Sequence, residues 1–235
     1  NLDSKVFPRM IGLSEVLWSY PEERDFDEFS ARLAKHYPRL EKWGVNYGFE
    51  KIPIGFKTLI LENGIKVSVD KAEEELKAIV DFGGEKTEWI SDSTFTKSQD
   101  LIFSAVLNEK EYSKKFTLKL AVHQGLGITP SVNAVFSPSY TAGGKTGLSD
   151  GILGTLDFRD GRWQGYQISD AEVIVDLGET KSISTCLSNF YQYNNAWIFA
   201  PIKVDFSVSI DGESFELIGS ATPKSDPKEK GQFIQ

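Results

Sequence analysis

The hydrophobic period of this chain changes near residue 50, and that change limits the fold more than any single motif. Before it, Phe26, Phe29, Leu33, Tyr37, Leu40 and Trp43 recur at steps of three or four, which places them on one helical stripe. Beyond it the period drops to two. Phe116, Leu118, Leu120 and Val122 alternate with Thr117, Lys119 and Ala121, the mark of a strand with one buried face. The spacing therefore predicts a mainly β chain with an N-terminal helical segment. A short helix is expected from Arg9 to Trp18. Pro21 with Glu22, Glu23 and Asp25 suits the start of a second helix, where acids meet the positive end of the dipole. Pro38 kinks or splits that helix, and Gly44 fits its left-handed stop. Roughly 40 helical residues cannot bury both of their faces, so they must pack on something else.

Strands are expected at 56–61, 65–69, 76–82, 101–107 and 116–122, with Asn63-Gly64 as a two-residue hairpin turn in which both positions take positive φ. Regular spacing of short strands predicts an antiparallel sandwich. The stretch Gln124–Pro130, rich in Gly and ending in Pro, marks a boundary. A second strand-rich part follows, over 131–235. There, 171–177 alternates, Ile183–Leu187 reads as strand-like, and Val204, Phe206, Val208 and Ile210 point toward a core. Asp211-Gly212 then turns the chain so that Phe215 and Leu217 return. The polar stretch 222–231 is a loop, and Phe233 and Ile234 begin a strand that never completes. The reading is thus three parts: helices over 1–50, a small sandwich over 51–128 and a second sandwich over 131–235.

Charge narrows the partners. The formal net charge is -8, with a pI near 5.0. No Lys/Arg cluster supplies the basic face that phosphate backbones require, so neither nucleic acid nor an anionic membrane surface is expected. A neutral ligand such as a sugar makes no such demand. Cys186 is the only cysteine, which excludes an internal disulfide, and it reads as a small buried apolar residue. One Cys with two His, His36 and His123, makes a poor zinc set. No apolar run reaches membrane-spanning length. The first residues lack a signal-peptide pattern and an initiator Met, so the chain reads as a processed or excised piece.

The densest chemistry lies in two loops. The first runs from Thr141 to Thr155 and continues through Phe158-Arg-Asp-Gly-Arg-Trp-Gln-Gly-Tyr166. Its glycines, acids, arginines and aromatics suit holding a metal or a sugar, or pinning two sheets together, rather than covalent chemistry. Gly144-Lys145-Thr146 is not a phosphate-binding loop, because the glycine required five residues earlier is Ser139. Arg159, Asp160, Arg162, Trp163 and Tyr166 form one polar-aromatic cluster, and Tyr191, Tyr193, Asn194, Asn195 and Trp197 form the other. Aromatic faces stack on sugar C–H groups while Arg, Asp and Asn bind hydroxyls. On that chemistry Tyr191, Tyr193, Asn194, Arg159, Arg162 and Trp197 are the candidate carbohydrate-binding residues. The competing readings are that the tryptophans are core or interface residues and that Arg162 pairs with an acid.

Two stretches carry family resemblances. Pro8-Arg9, Glu15, Trp18, the run from Arg24 to Phe29, Leu33, His36-Tyr37, Leu40 and Trp43-Gly-Val-Asn-Tyr47 resemble the end of a glycoside hydrolase family 20 β-N-acetylhexosaminidase barrel, where this pattern forms the last helices. Ser139 to Gly144, Leu148-Ser-Asp-Gly151, Gly154-Thr155, Trp163-Gln-Gly-Tyr166, Val173 to Gly178, Trp197 to Pro201 and Val204 to Gly212 resemble the discoidin-like module (coagulation factor 5/8 C-terminal type) appended to many such bacterial enzymes. The segment between them is similar by position to a linking β-sandwich. The resemblance implies an incomplete discoidin-like, galactose-binding-like jelly roll over 131–235. It implies a structural Ca²⁺ held by Asp150 and Thr155, whereas a plain turn has Asp150 hydrogen-bond locally. It also implies that Trp163 points inward.

As partners, the resemblance implies a GlcNAc- or Gal-containing glycan and the barrel of the same enzyme, in an extracytoplasmic setting. The family's catalytic His-x-Gly-Gly-Asp-Glu run has no counterpart here, and Asp27-Glu28 opens a helix instead. No catalytic residue is therefore assigned. The expected role is a non-catalytic part of the enzyme that contacts glycan, the alternative being structural support between domains.

Overall fold

The computed structural model describes residues 2–45, 47–48, 52–107, 110–224, 226 and 232–234. The polar tail expected over 222–231 falls largely outside them. The chain divides into two compact units, one of residues 1–55 with 71–76 and the other of 56–70 with 77–235.

The first unit is helical: α1 (Asp3–Val6), α2 (Arg9–Trp18), α3 (Phe26–Ala34) and α4 (Tyr37–Lys42). The expected helix Arg9–Trp18 is present. Pro21 opens only a 3-10 turn, Pro21–Glu23, and it is Asp25 that caps α3, its Oδ1 accepting from Glu28 N at 2.8 Å. The long stripe is split in two, because Pro38 lacks an N–H and is tolerated only in a first helical turn, here that of α4. Gly44, at φ +68°, closes α4 with the N–H of Val45 reaching back to Leu40 O at 2.9 Å. Of the stripe, Leu33 and Leu40 are buried, while Phe26 and Trp43 are exposed. Arg32 grips Glu15 through both terminal nitrogens, Nη2 to Oε1 at 2.6 Å and Nη1 to Oε2 at 2.9 Å, which pins α2 to α3. The guanidinium holds the Glu15 carboxyl below its ordinary range. Met10, Leu13, Val16, Leu17 and Trp18 on α2 are exposed.

The second unit is β. A three-stranded sheet contains β1 (Ile54–Leu61), β2 (Gly64–Lys71) and, after β3 (Lys77–Asp81) and β4 (Lys86–Glu88), β5 (Ser93–Phe95). A five-stranded sheet orders β10-β7-β6-β3-β4, with β6 at Gln99–Leu107, β7 at Lys110–Leu120 and β10 at Ile152–Leu153. The pairings recorded in it are antiparallel. Alternation on β7 is as expected: Phe116, Leu118 and Leu120 are buried, and Thr117 and Lys119 are not. Aromatic rings join the sheets. Phe56 of β1 meets Phe103 of β6 with centroids 4.9 Å apart, and Trp89 bridges Phe103 (5.4 Å, edge-on) and Phe95 of β5 (6.1 Å). This is the face-to-face packing of a β-sandwich.

The β1–β2 hairpin forms, but not on the turn expected. The turn residues are Glu62 and Asn63, and neither has positive φ. Gly64 already belongs to β2. Its lack of a side chain serves a close approach, since a Cβ there meets Phe95 O at 2.3 Å.

Residues 124–130, where the sequence marks a boundary, lie inside the second unit. Ala121 N donates to Gly151 O and Gly127 N to Ser149 O, both at 2.8 Å, and β10 pairs Ile152 with Leu120. Further on, the structure uses short ladders: β8 (Ser131–Val132) with β12 (Val173–Ile174), β9 (Phe136–Thr141) with β11 (Gln164–Tyr166), β13 (Phe190–Gln192) with β16 (Gln232–Ile234), and β14 (Val204–Val208) with β15 (Glu216–Ala221).

Four expectations here are corrected. The alternating run 171–177 pairs only at Val173 and Ile174. Ile183–Leu187 forms no strand and Cys186 is exposed rather than buried. Ile210 is exposed at the start of the turn instead of facing a core. Alternation says which side chains share a face, but a strand needs a neighbouring ladder and a face needs cover.

Phe103 is fully buried among Phe56 and Trp89. Phe103→Ala is expected to lower unfolding stability by about 3–5 kcal/mol, whereas the exposed Trp43→Ala changes it by no more than about 0.5 kcal/mol. Urea denaturation of both variants checks the contrast.

Candidate functional site

The loop between β10 and β11 is built on side-chain acceptors. Asp157 Oδ1 accepts from Arg159 N at 3.1 Å. Asp160 accepts twice, from Thr155 N at 2.6 Å and from Arg162 N at 2.8 Å. Such contacts let Asp shape a turn that the backbone alone leaves open. The loop lifts Phe158 between two acids, and Phe158 becomes a hub. Tyr140 lies 6.2 Å from it, Tyr191 6.1 Å and Tyr193 6.0 Å, centroid to centroid, and the Arg159 guanidinium sits 4.9 Å over its ring.

A second loop, 142–147, is held by Gln164. Its Nε2 donates to Ala142 O (3.0 Å) and Gly144 O (2.5 Å), while its Oε1 accepts from the Tyr166 hydroxyl at 2.7 Å. Between these loops lies a cleft of about 310 Å³ lined by Ser139, Tyr140, Thr141, Ala142, Phe158, Arg159, Gly161 and Trp163.

The structure brings together some of the sequence candidates and separates others. Arg159 and Tyr193 touch Phe158. Tyr191 is buried, 7% exposed, and its hydroxyl donates to Leu156 O at 2.9 Å. Burial, with Asp157 nearby, pushes its phenol up. Arg162 turns away from solvent: Nη1 donates to Thr117 O of β7 at 3.0 Å and the guanidinium lies 5.9 Å over Phe56. Burial pulls its pKa down, and Asp160 and Asp150 push it back up. Asn194 Oδ1 accepts from Gln192 Nε2 at 3.0 Å. Trp163 is directed inward, its Nε1 donating to Thr155 O at 3.0 Å and its ring lying against Gly154, where a Cβ meets the indole at 2.2 Å. Trp197 stands apart, 85% exposed, in the left-handed region at φ +57°.

Phe158, Tyr140 and Ser139 line the cleft but were not singled out from sequence. The usable signal for Phe158 was an apolar ring set between Asp157 and Asp160, because a turn leaves little room to bury it.

Asp150 and Thr155 do local work. Asp150 Oδ1 accepts from Ile152 N at 2.8 Å, and Thr155 Oγ1 from Asp157 N at 3.2 Å. Calcium requires about six to eight oxygen ligands. Among the described residues no three His, Cys, Asp or Glu gather as a metal-holding group. Asp150 and Thr155 supply two side-chain oxygens toward such a set, and backbone carbonyls would have to supply the rest.

Desolvation raises the Asp150 pKa, against the opposing effects of the Ile152 N–H and Arg162. A raised carboxylate pKa means that the folded state holds its proton to higher pH than the unfolded chain. The cost of ionising Asp150 is therefore absent below the ordinary carboxylate range near pH 4 and complete above the raised value. Asp150→Asn is expected to flatten the fall in stability across that window and to melt no lower than wild type at neutral pH. Thermal melts across pH check this, and repeating them with added calcium tests whether the loop binds the ion.

No family model matches the chain. A β-N-acetylhexosaminidase of Cellulomonas fimi is 39% identical to it over 47 residues, which make up 20% of this chain. Those residues are 10% of that protein, so the match spans about a tenth of the relative's length. Among the described residues no helix is long and apolar enough to cross a membrane. The matching stretch points to a relationship with a hexosaminidase.

Proposed function

We propose that this chain is a non-catalytic C-terminal region of a β-N-acetylhexosaminidase of glycoside hydrolase family 20, an extracytoplasmic enzyme that removes terminal N-acetylhexosamine from glycans. On this reading residues 1–50 are terminal helices of the barrel, 51–128 a linking β-sandwich and 131–235 a discoidin-like module that contacts carbohydrate. The observation that carries the binding role is the cleft between the 142–147 and 155–163 loops. It combines aromatic faces (Tyr140, Phe158), hydroxyls (Ser139, Thr141) and the Arg159 guanidinium in about 310 Å³. That mixture is how protein sites grip a pyranose ring, and the size lies at the lower end of the usual range for small ligands.

Tyr191 and Arg162 then belong to the support of the site rather than to its surface, since both polar groups are spent on backbone carbonyls. The partner implied for the first unit is the rest of the same enzyme. The exposed apolar side chains of α2 favour it, because Met10, Leu13, Val16 and Leu17 gain nothing from water. The same observation favours a second reading, in which the chain is structural support with no ligand.

Calorimetry with GlcNAc- and Gal-containing oligosaccharides separates the two. The binding role predicts a measurable heat of binding and an affinity that Phe158→Ala and Arg159→Ala each weaken about tenfold. A flat response to every sugar leaves the structural reading. Turnover of a chromogenic N-acetylglucosaminide by the purified chain is expected to be nil.

A further inference from the structure

The hairpin Tyr193–Ile198 carries a contradiction between backbone and side chain. It is closed by Tyr193 N to Ile198 O (2.9 Å) and Ile198 N to Tyr193 O (3.2 Å). A single 3-10 turn, Asn194–Ala196, lies inside it. Its last turn position is left-handed, the conformation that glycine adopts freely and a bulky side chain resists. That position holds Trp197. The indole gains little burial in return, since it is 85% exposed, with Phe199 at 6.4 Å edge-on and itself 62% exposed. A strained backbone under an indole that packs on so little is a site kept for the side chain itself.

The segment that carries the indole is uncharged. From Ser182 to Ile202 no residue is Asp, Glu, Lys, Arg or His, in a chain that is 26% charged. The hairpin itself contributes amides and apolar groups and no ionic one. Asn195 is exposed, and its carboxamide makes no hydrogen bond among the described residues. A charged ligand finds no counter-charge in this segment, whereas a neutral polyhydroxylated ring finds an aromatic face with a free donor and acceptor next to it. The hairpin is also joined to the cleft, because Tyr193 at its base contacts Phe158.

Resting on the carbohydrate reading above, we infer that Trp197 is a stacking platform for a neutral pyranose, a contact point outside the Phe158 cleft, with Asn195 hydrogen-bonding to its hydroxyls. The hydrogen-bonded hairpin fixes the backbone beneath the ring, so only the side-chain torsions remain to be ordered on binding.

The test uses the whole chain and four variants: Trp197→Gly, Asn195→Ala, Phe158→Ala and Ile168→Gly. The last is a control, since Ile168 is also left-handed (φ +76°) and fully exposed but aliphatic. Probes are N-acetylchitotriose, galactobiose, a galacturonate oligomer and phosphatidylcholine vesicles, read by calorimetry and sedimentation, with thermal melts of every variant. The expected result is binding of at least one neutral oligosaccharide, weakened about tenfold by Trp197→Gly, weakened by Asn195→Ala and untouched by Ile168→Gly. Trp197→Gly is expected to melt at or above the wild-type temperature, because glycine relieves the backbone, so a loss of binding cannot be a loss of fold.

Wild-type affinity in Trp197→Gly, with Phe158→Ala weakened, overturns the platform and leaves the cleft reading standing. The reverse pattern supports the platform and removes the cleft. Preference for the galacturonate, sedimentation with vesicles in place of sugar binding, or no binding to any saccharide each overturns the inference.

Discussion

The guanidinium of Arg162 ties the functional loop to the sandwich. It leaves the 155–163 loop, crosses to the sheet, donates to the Thr117 carbonyl of β7 and lies over the Phe56 ring. Thr117 is the residue on β7 opposite Ile102 of β6, so the loop is referenced to the strand pair that carries the buried Phe103, Phe116 and Leu118. A buried cation left without such acceptors is costly, and for that reason the loop has little freedom to sit elsewhere. One wall of the cleft sits on this anchor: the aspartate-built turn, Phe158 at its tip, and Trp163 wedged against Gly154.

A division of labour results. Arg162 and Tyr191 are consumed as scaffold, and their polar atoms meet backbone carbonyls. Phe158 and Arg159 are presented at the cleft instead. Trp163 and Trp197 show the same split in one residue type. The first directs its N–H to Thr155 O, and the second is exposed on a strained turn. Trp, Arg and Tyr are enriched both in packed interiors and at binding surfaces, so residue type alone does not separate the two roles.

The helical unit has its own inversion. Glu15, the acidic residue of α2, turns toward α3 and is gripped by Arg32, while Met10, Leu13, Val16 and Leu17 are exposed. The ion pair sets the angle at which that apolar surface is offered. On the function proposed above, that surface is the one that packs on the rest of the enzyme.

Much of the secondary structure was legible from local rules. The change of period at residue 50, the stop at Gly44, the split at Pro38 and the inward face of β7 are each decided by neighbours within one turn or one strand, so the amino-acid order alone determined them. The β1–β2 hairpin was legible but its turn was not, because Gly64 answers to Phe95 O, a contact 31 positions away (95 − 64). The exposure of Cys186 and the short pairing of 171–177 also escaped the sequence, since alternation is silent on whether a partner ladder exists.

At the site, sequence pointed to the 155–163 and 191–197 loops, and the structure places Arg159 and Tyr193 against Phe158 and leaves Trp197 exposed. Sequence could not tell that Arg162 spends its charge on Thr117 O or that Phe158 collects three tyrosines. Those assignments depend on which groups meet across distant segments, and burial is a property of the folded ensemble of neighbours rather than of any residue by itself. Tertiary structure alone decided them.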